Sequence, residues 1–289
     1  MYINMDVKKI TSLIDYLNWV KDCHKIYFSE RNAFTYQDSI YFRGHASASW
    51  ELTPSLFRDS SVILDEHNML ENASNMLWSE LNDCRTDLEK MVKLQHYGLH
   101  TRLLDVTYNP LVALYFACQK LSDSSDNKDG VVFSGFIDDD HSSNICKAIA
   151  EYVFNYETYS INDKELEKIC KRFNVHKLLL EVCHIFNPPL NNSRVTAQNG
   201  AFIMPPLLKK NGKPPFHRAN HAEIKRVLEA AFTKKSIIPE SYKNEILKEL
   251  DSIGINKATI FTDISSKLQY INEKEEKQNC CIDLSLDTD

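Results

Sequence analysis

An arginine flanked by aromatic residues and a glycine is the first candidate for chemistry in this sequence. Arg43 follows Phe42 and precedes Gly44 in the segment 41–45, Tyr-Phe-Arg-Gly-His. A guanidinium in such apolar surroundings is costly to bury unless it meets an anion, and its planar fork matches a phosphate or a carboxylate. The glycine would let a ligand approach the backbone closely. An internal ion pair, for instance with Asp105, is the alternative.

Two further segments carry polar groups among apolar residues. In 94–118, leucines alternate with His96, His100, Thr101, Arg102, Asp105 and Thr107. A single histidine there is more often structural than catalytic, but the whole cluster favours a site. In 193–206, Gln198 and Gly200 would share one face of a predicted strand, although a surface glutamine beside a bulge is the alternative.

Composition narrows the class of protein. The 289 residues are 43% hydrophobic and carry a net charge of −6, which argues against a broad basic surface for nucleic acid but permits a local patch. No apolar run reaches membrane-spanning length, and the first ten residues lack the order of a signal peptide. The eight cysteines show neither a disulfide framework nor zinc spacing. We therefore expect a cytoplasmic protein with reduced thiols, no bound metal and no membrane association.

Hydrophobic periodicity predicts an α+β fold in which helices outnumber strands. Helices are expected at 8–26, at 62–94 with one break, and at 109–121, 144–156 and 163–185. Strands are expected at 39–45, 130–136 and 193–206. The polar tail from Glu273 onward is expected to be disordered.

These segments together resemble the FRG domain family. The resemblance is carried by YFRGH (41–45), WELTPSLFR (50–58), QHYGLHTRLLDVTYNPLVALYFA (95–117) and RVTAQNGAF (194–202), and extends over about 38–270. The family more often has Pro at His100 and Trp at Val106. We accordingly divide the chain into an N-terminal helical extension (1–37), the FRG domain (38–270) and a polar tail (271–289).

The sequence also resembles, more remotely, ADP-ribosyltransferases of the Arg-Ser-Glu type. In those enzymes an aromatic-Arg-Gly strand binds NAD, a second strand ends in Ser or Thr before a helix, and a third element carries a Glu. Thr107 and Gln198 stand at the second and third positions here. The resemblance implies a core of small mixed or antiparallel sheets with an extensive helical surround, and NAD as substrate.

It further implies a role for each residue of the site. Arg43 would grip the pyrophosphate, His45 or Thr107 would hold ribose hydroxyls, and nicotinamide would stack on Tyr41, Phe42 or Tyr115. Gly44, His96, Thr101 and Arg102 complete the expected NAD-binding set. Because Gln198 replaces the glutamate, either the amide orients the ribose without a charge, or a carboxylate comes from Asp105 (our first choice), Glu223 or Asp263.

The expected function is NAD-dependent ADP-ribosyl transfer by a toxin or anti-phage effector that blocks growth or translation. The acceptor would be nucleic acid, with RNA favoured over DNA or protein, and a neutralising antitoxin protein would be a partner. The basic loop 209–218 could offer a local patch for nucleic acid, or be only a solvated loop. The alternatives are an enzyme that hydrolyses NAD and a non-catalytic nucleotide- or phosphate-binding module.

Overall fold

The structure is a computed structural model that describes residues 7–29, 39–58, 66–120, 128–137, 142–156, 163–188, 193–207, 209–210, 213–216 and 221–274. The tail predicted to be disordered lies outside these ranges from residue 275 onward. Within the described ranges, no helix is both long and apolar enough to cross a membrane.

A seven-stranded sheet forms the centre of the molecule. Its strand order is β1-β9-β4-β2-β3-β6-β5, and all neighbours pair antiparallel except β1 with β9. The strands are β1 (Val7–Lys9), β2 (Ser39–His45), β3 (Leu104–Thr107), β4 (Gly130–Ile137), β5 (His184–Phe186), β6 (Gly200–Met204) and β9 (Phe232–Ile238). A separate hairpin consists of β7 (Lys209–Lys210) and β8 (Lys213–Phe216).

The three segments singled out in the sequence lie on adjacent strands in the middle of this sheet. Phe42 of β2 pairs with Thr107 of β3, and Thr107 pairs with Gly200 of β6. The aromatic and β-branched residues of β2 fit a pleated, buried surface, so Phe42 and Tyr41 are both buried. Residues that lie far apart in sequence are thus brought to one place.

Helices surround the sheet. They are α1 (Leu13–Ser29), α2 (Glu66–Met76), α3 (Asp87–His96), α4 (Pro110–Cys118), α5 (Ser142–Asn155), α6 (Asp163–Phe173), α7 (Ser193–Ala197), α8 (His221–Ala231), α9 (Glu240–Ser252), α10 (Lys257–Ile260) and a last helix, α11, over 264–274. Short 3₁₀ turns cover Ser55–Phe57 and Lys177–Glu181.

Successive residues of β2 belong to different cores, as the alternation of a strand requires. Phe42 packs with α1, α4 and α9, whereas Tyr41 packs on the other face with Leu104, Val106 and residues of α8. A third core joins α2, α3, α5 and α6 to β5 and β6. Because α1 contributes Trp19 to the core of Phe42, and β1 pairs with β9, the N-terminal segment is part of the central fold.

The α+β class predicted from the sequence is confirmed, and the strand at 39–45 has the predicted bounds. The break expected within 62–94 is also present, because α2 and α3 are separate helices and Thr86 caps the N-terminus of α3 by accepting the N–H of Glu89. Other elements differ. One seven-stranded sheet stands where small sheets were expected. The predicted helix at 163–185 ends at Phe173, followed by a 3₁₀ turn and β5.

The segment 193–206 also differs from its prediction. It begins as the short helix α7, turns at Asn199 and becomes a strand only at Gly200. Asn199 adopts a positive φ of 45°, a conformation that asparagine tolerates better than most residues. Gln198 therefore lies in a turn. The sequence prediction that it projects from a strand is wrong.

Candidate functional site

A cleft of about 320 Å³ opens beside β2, β3 and α4. We call it the first cleft. Polar and apolar side chains line it in similar measure. They are Phe42, Arg43, Gly44, Val92, Gln95, His96, Asp105, Val106, Thr107, Val112, Phe116, Arg194, Val195, Gln198 and Phe202.

A second cleft, of about 240 Å³, also has Arg43 in its lining. Arg43, Gln95 and Asp105 line both clefts, so these three side chains form a shared wall. The remaining lining of the second cleft comes from Pro54, Ser55, Arg58, Gly98, Leu99, His100, Leu103 and Leu104.

The Arg43 side chain is held at this wall by β2 and β3. Its Nη1 donates to the main-chain carbonyl of Asp105 and lies 4.0 Å from the Asp105 carboxylate. Its Nε donates to Nε2 of His45 at 2.9 Å. Burial lowers the pKa of Arg43 to about 10 despite the nearby Asp105 charge, which leaves the group cationic at neutral pH.

His45 serves as the acceptor for Arg43 and is buried. Burial, and then the Arg43 charge, lower its pKa to about 3, so the ring is neutral at neutral pH. Because Nε2 accepts a hydrogen bond, the proton of the neutral ring lies on Nδ1. His45 lines neither cleft, and its contact is with the arginine rather than with the space where a ribose would lie.

The Asp105 carboxylate is positioned by a relay of two side chains. Nε2 of Gln95 donates to Asp105 Oδ1 at 3.1 Å, and Oε1 of Gln95 accepts from the hydroxyl of Thr101. Thr101 is buried, whereas the Asp105 side chain is 66% exposed. The segment 95–105 thus presents one solvent-accessible carboxylate beside Arg43, and Thr101 acts behind it rather than in the cleft.

Thr107 and Gln198 both line the first cleft, but their polar atoms are engaged. The Thr107 hydroxyl donates to the main-chain carbonyl of Gln198 at 2.6 Å and accepts the N–H of Asn109 at 2.9 Å. The Gln198 amide donates to the carbonyl of Ile260 at 3.4 Å. Both residues fix the junction of β3, α4 and α7.

Arg102 lies away from both clefts in a buried ion pair. Its Nε and Nη2 donate to the two carboxylate oxygens of Glu66 at 2.8 and 2.5 Å, and its guanidinium lies 5.8 Å from the ring centroid of Phe57. These bonds tie the loop before β3 to α2. The role of Arg102 is therefore structural, and the NAD-binding role that the sequence predicted for it is wrong. Asp105 accordingly pairs with Arg43 and not with Arg102.

The aromatic residues divide between the cleft and the core. Phe42 and Phe116 line the first cleft. Tyr41 instead donates its hydroxyl to the carbonyl of Ala231 at 2.6 Å on the opposite face of the sheet, and the buried Tyr115 packs in the core of α1, α4 and α9. The predicted stacking of nicotinamide on Tyr41 or Tyr115 is therefore wrong, because neither ring lines the first cleft.

Gly44 is needed where α4 crosses β2. A Cβ at this position would stand 1.9 Å from the carbonyl oxygen of Ala113 and 2.9 Å from the N–H nitrogen of Ala117. The absent side chain lets the helix lie directly on the strand, which brings Phe116 over the cleft. The sequence pointed to close approach by a ligand, and the structure adds close approach by a helix.

The other predicted residues have mixed positions. His96 is exposed in the lining of the first cleft. Asp263 caps α11 by accepting the N–H and hydroxyl of Ser266, and it lines neither cleft. The side chain of Glu223 and those of the basic loop 209–218 lie outside the described residues.

The cleft residues that the sequence did not predict include Gln95, Phe116, Arg194 and Arg58. Gln95 and Phe116 stand in the quoted motif 95–117, and Arg58 ends the quoted motif 50–58. Their place in motifs was thus the available signal. Arg194 begins the quoted motif 194–202, and its guanidinium lies 5.5 Å from the ring centroid of Phe261.

Within the described part of the chain, no three His, Cys, Asp or Glu side chains are grouped so as to hold a metal ion. A search of curated proteins and a search of solved structures each found no match. A family model does match, over residues 38–126, and its description is "FRG domain". The match spans β2, α2, α3, β3 and α4, and it includes all three residues of the shared wall. Residues 38–126 of this chain are therefore an FRG domain.

Proposed function

We propose that the protein is an NAD-dependent ADP-ribosyltransferase in which Asp105 supplies the carboxylate that Gln198 lacks. The observation that carries the proposal is the juxtaposition of Arg43 and Asp105 in the shared wall of the two clefts. A cationic side chain that is 16% exposed lies beside a carboxylate that is 66% exposed. Both charges face space large enough to admit a ligand.

This pair suits the charges of the reaction. Cleavage of the bond between nicotinamide and ribose develops positive charge on the ribose, as glycoside cleavage does, and a nearby carboxylate stabilises that charge. Nicotinamide leaves with the bonding electrons, the acceptor atom bonds to the ribose carbon, and the acceptor loses a proton. Arg43 would hold the negative pyrophosphate, and Phe116 would contact the nicotinamide ring in the apolar part of the first cleft.

The acceptor in this proposal is nucleic acid, with RNA ahead of DNA and protein. The setting is a growth-blocking toxin or anti-phage effector that a partner protein neutralises. This part of the proposal comes from the family resemblance together with the cations of the loop 209–218. With water as acceptor, the same site would hydrolyse NAD.

A second candidate is a non-catalytic module that binds a nucleotide or a phosphate. The observation that favours it is the engagement of Thr107 and Gln198. The hydroxyl and amide that would orient a ribose instead bond to main-chain carbonyls. Arg43 alone would then recognise the ligand.

The test is incubation of the purified protein with NAD labelled on its adenylate, separately with RNA, DNA and cell lysate. Asp105→Asn and Arg43→Ala are compared with Asp22→Asn, a control for loss of an exposed carboxylate on α1. Label transfer that both site variants lose and Asp22→Asn retains is the expected result. Free ADP-ribose without transfer would favour the hydrolase. Binding of ADP-ribose with no turnover under any condition would favour the module.

A further inference from the structure

The second cleft carries an excess of positive charge near its shared wall. Arg43 and Arg58 both line it, together with the exposed His100. Among the described residues of its lining, Asp105 is the one carboxylate. Two permanent cations and one anion make this described lining net positive, and such a lining attracts anions.

The two guanidinium groups are close enough to influence each other. Burial has the largest effect on the pKa of Arg43, and the Arg58 charge lowers it further. The Arg58 charge also lowers the pKa of His45. Like charges held together destabilise the empty site, and a bound anion would relieve that repulsion.

Arg58 is held at the cleft by a well-anchored segment. Its Nε donates to the carbonyl of Thr53 at 3.2 Å, and the buried Leu56 and Phe57 fix the preceding 3₁₀ turn in the core. The Leu56 N–H donates to the carbonyl of Thr101 at 3.3 Å. This bond ties the turn to the loop that leads into β3 and Asp105.

We propose that the second cleft is a diphosphate subsite in which Arg58, with Arg43, binds the pyrophosphate of a dinucleotide. Arginine suits this role because its fork donates two hydrogen bonds to phosphate oxygens. Nε of Arg58 donates to the Thr53 carbonyl, and its two terminal nitrogens have no partner among the described residues, so they can donate to the ligand. His100 would donate a further hydrogen bond from the rim.

The diphosphate subsite rests on the proposed function and extends it, since it defines how a dinucleotide would lie across the two clefts. Arg43 lines both clefts, so the charged centre of the ligand would cross the shared wall there. The nicotinamide riboside would occupy the first cleft beside Asp105 and Phe116. The diphosphate would extend toward Arg58.

The experiment measures binding without turnover, by calorimetric titration of the full chain with ADP-ribose, inorganic pyrophosphate and adenosine. Arg58→Gln is compared with Arg58→Lys and with Arg85→Gln, an exposed arginine that lines neither cleft. Circular dichroism and thermal melting of each variant check that it folds. Arg58→Lys supplies a second reading should Arg58→Gln prove unstable.

We expect ADP-ribose and pyrophosphate to bind the wild type, and Arg58→Gln to weaken both about 10- to 100-fold. Arg58→Lys should weaken them less, and Arg85→Gln should match the wild type. Tighter binding of ADP-ribose than of pyrophosphate would identify a nucleotide as the source of the diphosphate. Equal weakening by Arg85→Gln, or failure of both phosphate ligands to bind the wild type, would overturn the subsite. If ADP-ribose binds through Arg58 while NAD is never turned over, the proposed activity fails and the subsite stands.

Discussion

Two arginines of the same FRG domain, Arg43 and Arg102, are in opposite situations. Arg102 and its partner Glu66 are 5% and 8% exposed and meet through two short hydrogen bonds. Arg43 makes one ion contact at 4.0 Å, with a carboxylate that is mostly exposed. The first guanidinium is fully neutralised within the protein, and the second is held in place but only partly neutralised.

This difference separates an arginine that stabilises the fold from one that can recognise a ligand. A buried guanidinium that meets its carboxylate partner through two hydrogen bonds has no accessible charge to offer a ligand, and removing one partner leaves an unpaired buried charge. The bonds of Arg43 to His45 and to the Asp105 carbonyl instead fix its direction. Its charge remains available to an anion in either cleft.

The largest effect should come from breaking the buried pair. We expect Arg102→Ala to lower the free energy of unfolding by about 3–5 kcal/mol, because Glu66 would remain buried without its partner. Urea denaturation at neutral pH measures this change. The double variant Arg102→Met with Glu66→Leu is the control, since removing both charges should recover most of the loss. A loss of under about 1 kcal/mol in the single variant would mean that this pair is no more than a surface contact.

Arg43→Ala should show the opposite pattern. Affinity for ADP-ribose should fall about 100-fold through loss of charge-assisted hydrogen bonds. The free energy of unfolding should fall by only about 1–2 kcal/mol, because the main structural consequence is a buried His45 nitrogen without its donor. Calorimetric titration and urea denaturation of the same preparation give both values. A variant that unfolds as readily as Arg102→Ala while binding normally would remove the distinction between the two arginines.

The burial of His45, together with the neighbouring Arg43 charge, makes stability depend on pH. The folded protein keeps His45 neutral down to a pH of about 3, whereas the unfolded chain protonates it near its ordinary pKa of about 6.5. The unfolded state therefore binds more protons as the pH falls below that value, and folding is destabilised by about 2 kcal/mol between pH 7 and pH 5. Urea denaturation of the wild type and His45→Gln across this range isolates the contribution. Parallel curves for the two proteins would show that His45 does not titrate in this way.

The sequence predicted the strands around Arg43 better than it predicted individual roles. The strand at 39–45 was predictable because the β-branched Ile40 and the aromatic Tyr41 and Phe42 follow one another directly. The membership of Arg43, Asp105 and Thr107 in one site followed from motifs, and their strands do pair. The helix at 193–197 was not predictable from the sequence. It ends at a turn that requires a positive φ at Asn199, and the Thr107 hydroxyl holds this turn through the Gln198 and Asn199 carbonyls.

The sequence offered Asp105 as a partner for Arg43, but the partner of Arg102 was beyond local sequence. Glu66 precedes Arg102 by 36 positions, and nothing around either residue marks them as a pair. Arg102 and Asp105 are three residues apart, and successive residues of a strand point to opposite faces. Arg102 lies in the loop before β3, and this loop turns it inward toward Glu66. Only the packed structure therefore decides which of the two arginines faces a ligand.

The smallest effect we predict concerns the glutamine that positions Asp105. Gln95→Leu removes the donor to Asp105 Oδ1 and the acceptor for Thr101, so the carboxylate would lose its fixed direction beside Arg43. If Asp105 stabilises the transition state, kcat for NAD turnover should fall about tenfold while KM changes little, since misplacement of a charge affects the transition state most. Thr101→Val, which leaves the bond from Gln95 to Asp105 in place, should lower kcat less. A rise in KM with kcat unchanged would instead assign Gln95 to ligand binding, and the shared wall would then act as a recognition surface in which Arg43 is the one essential charge.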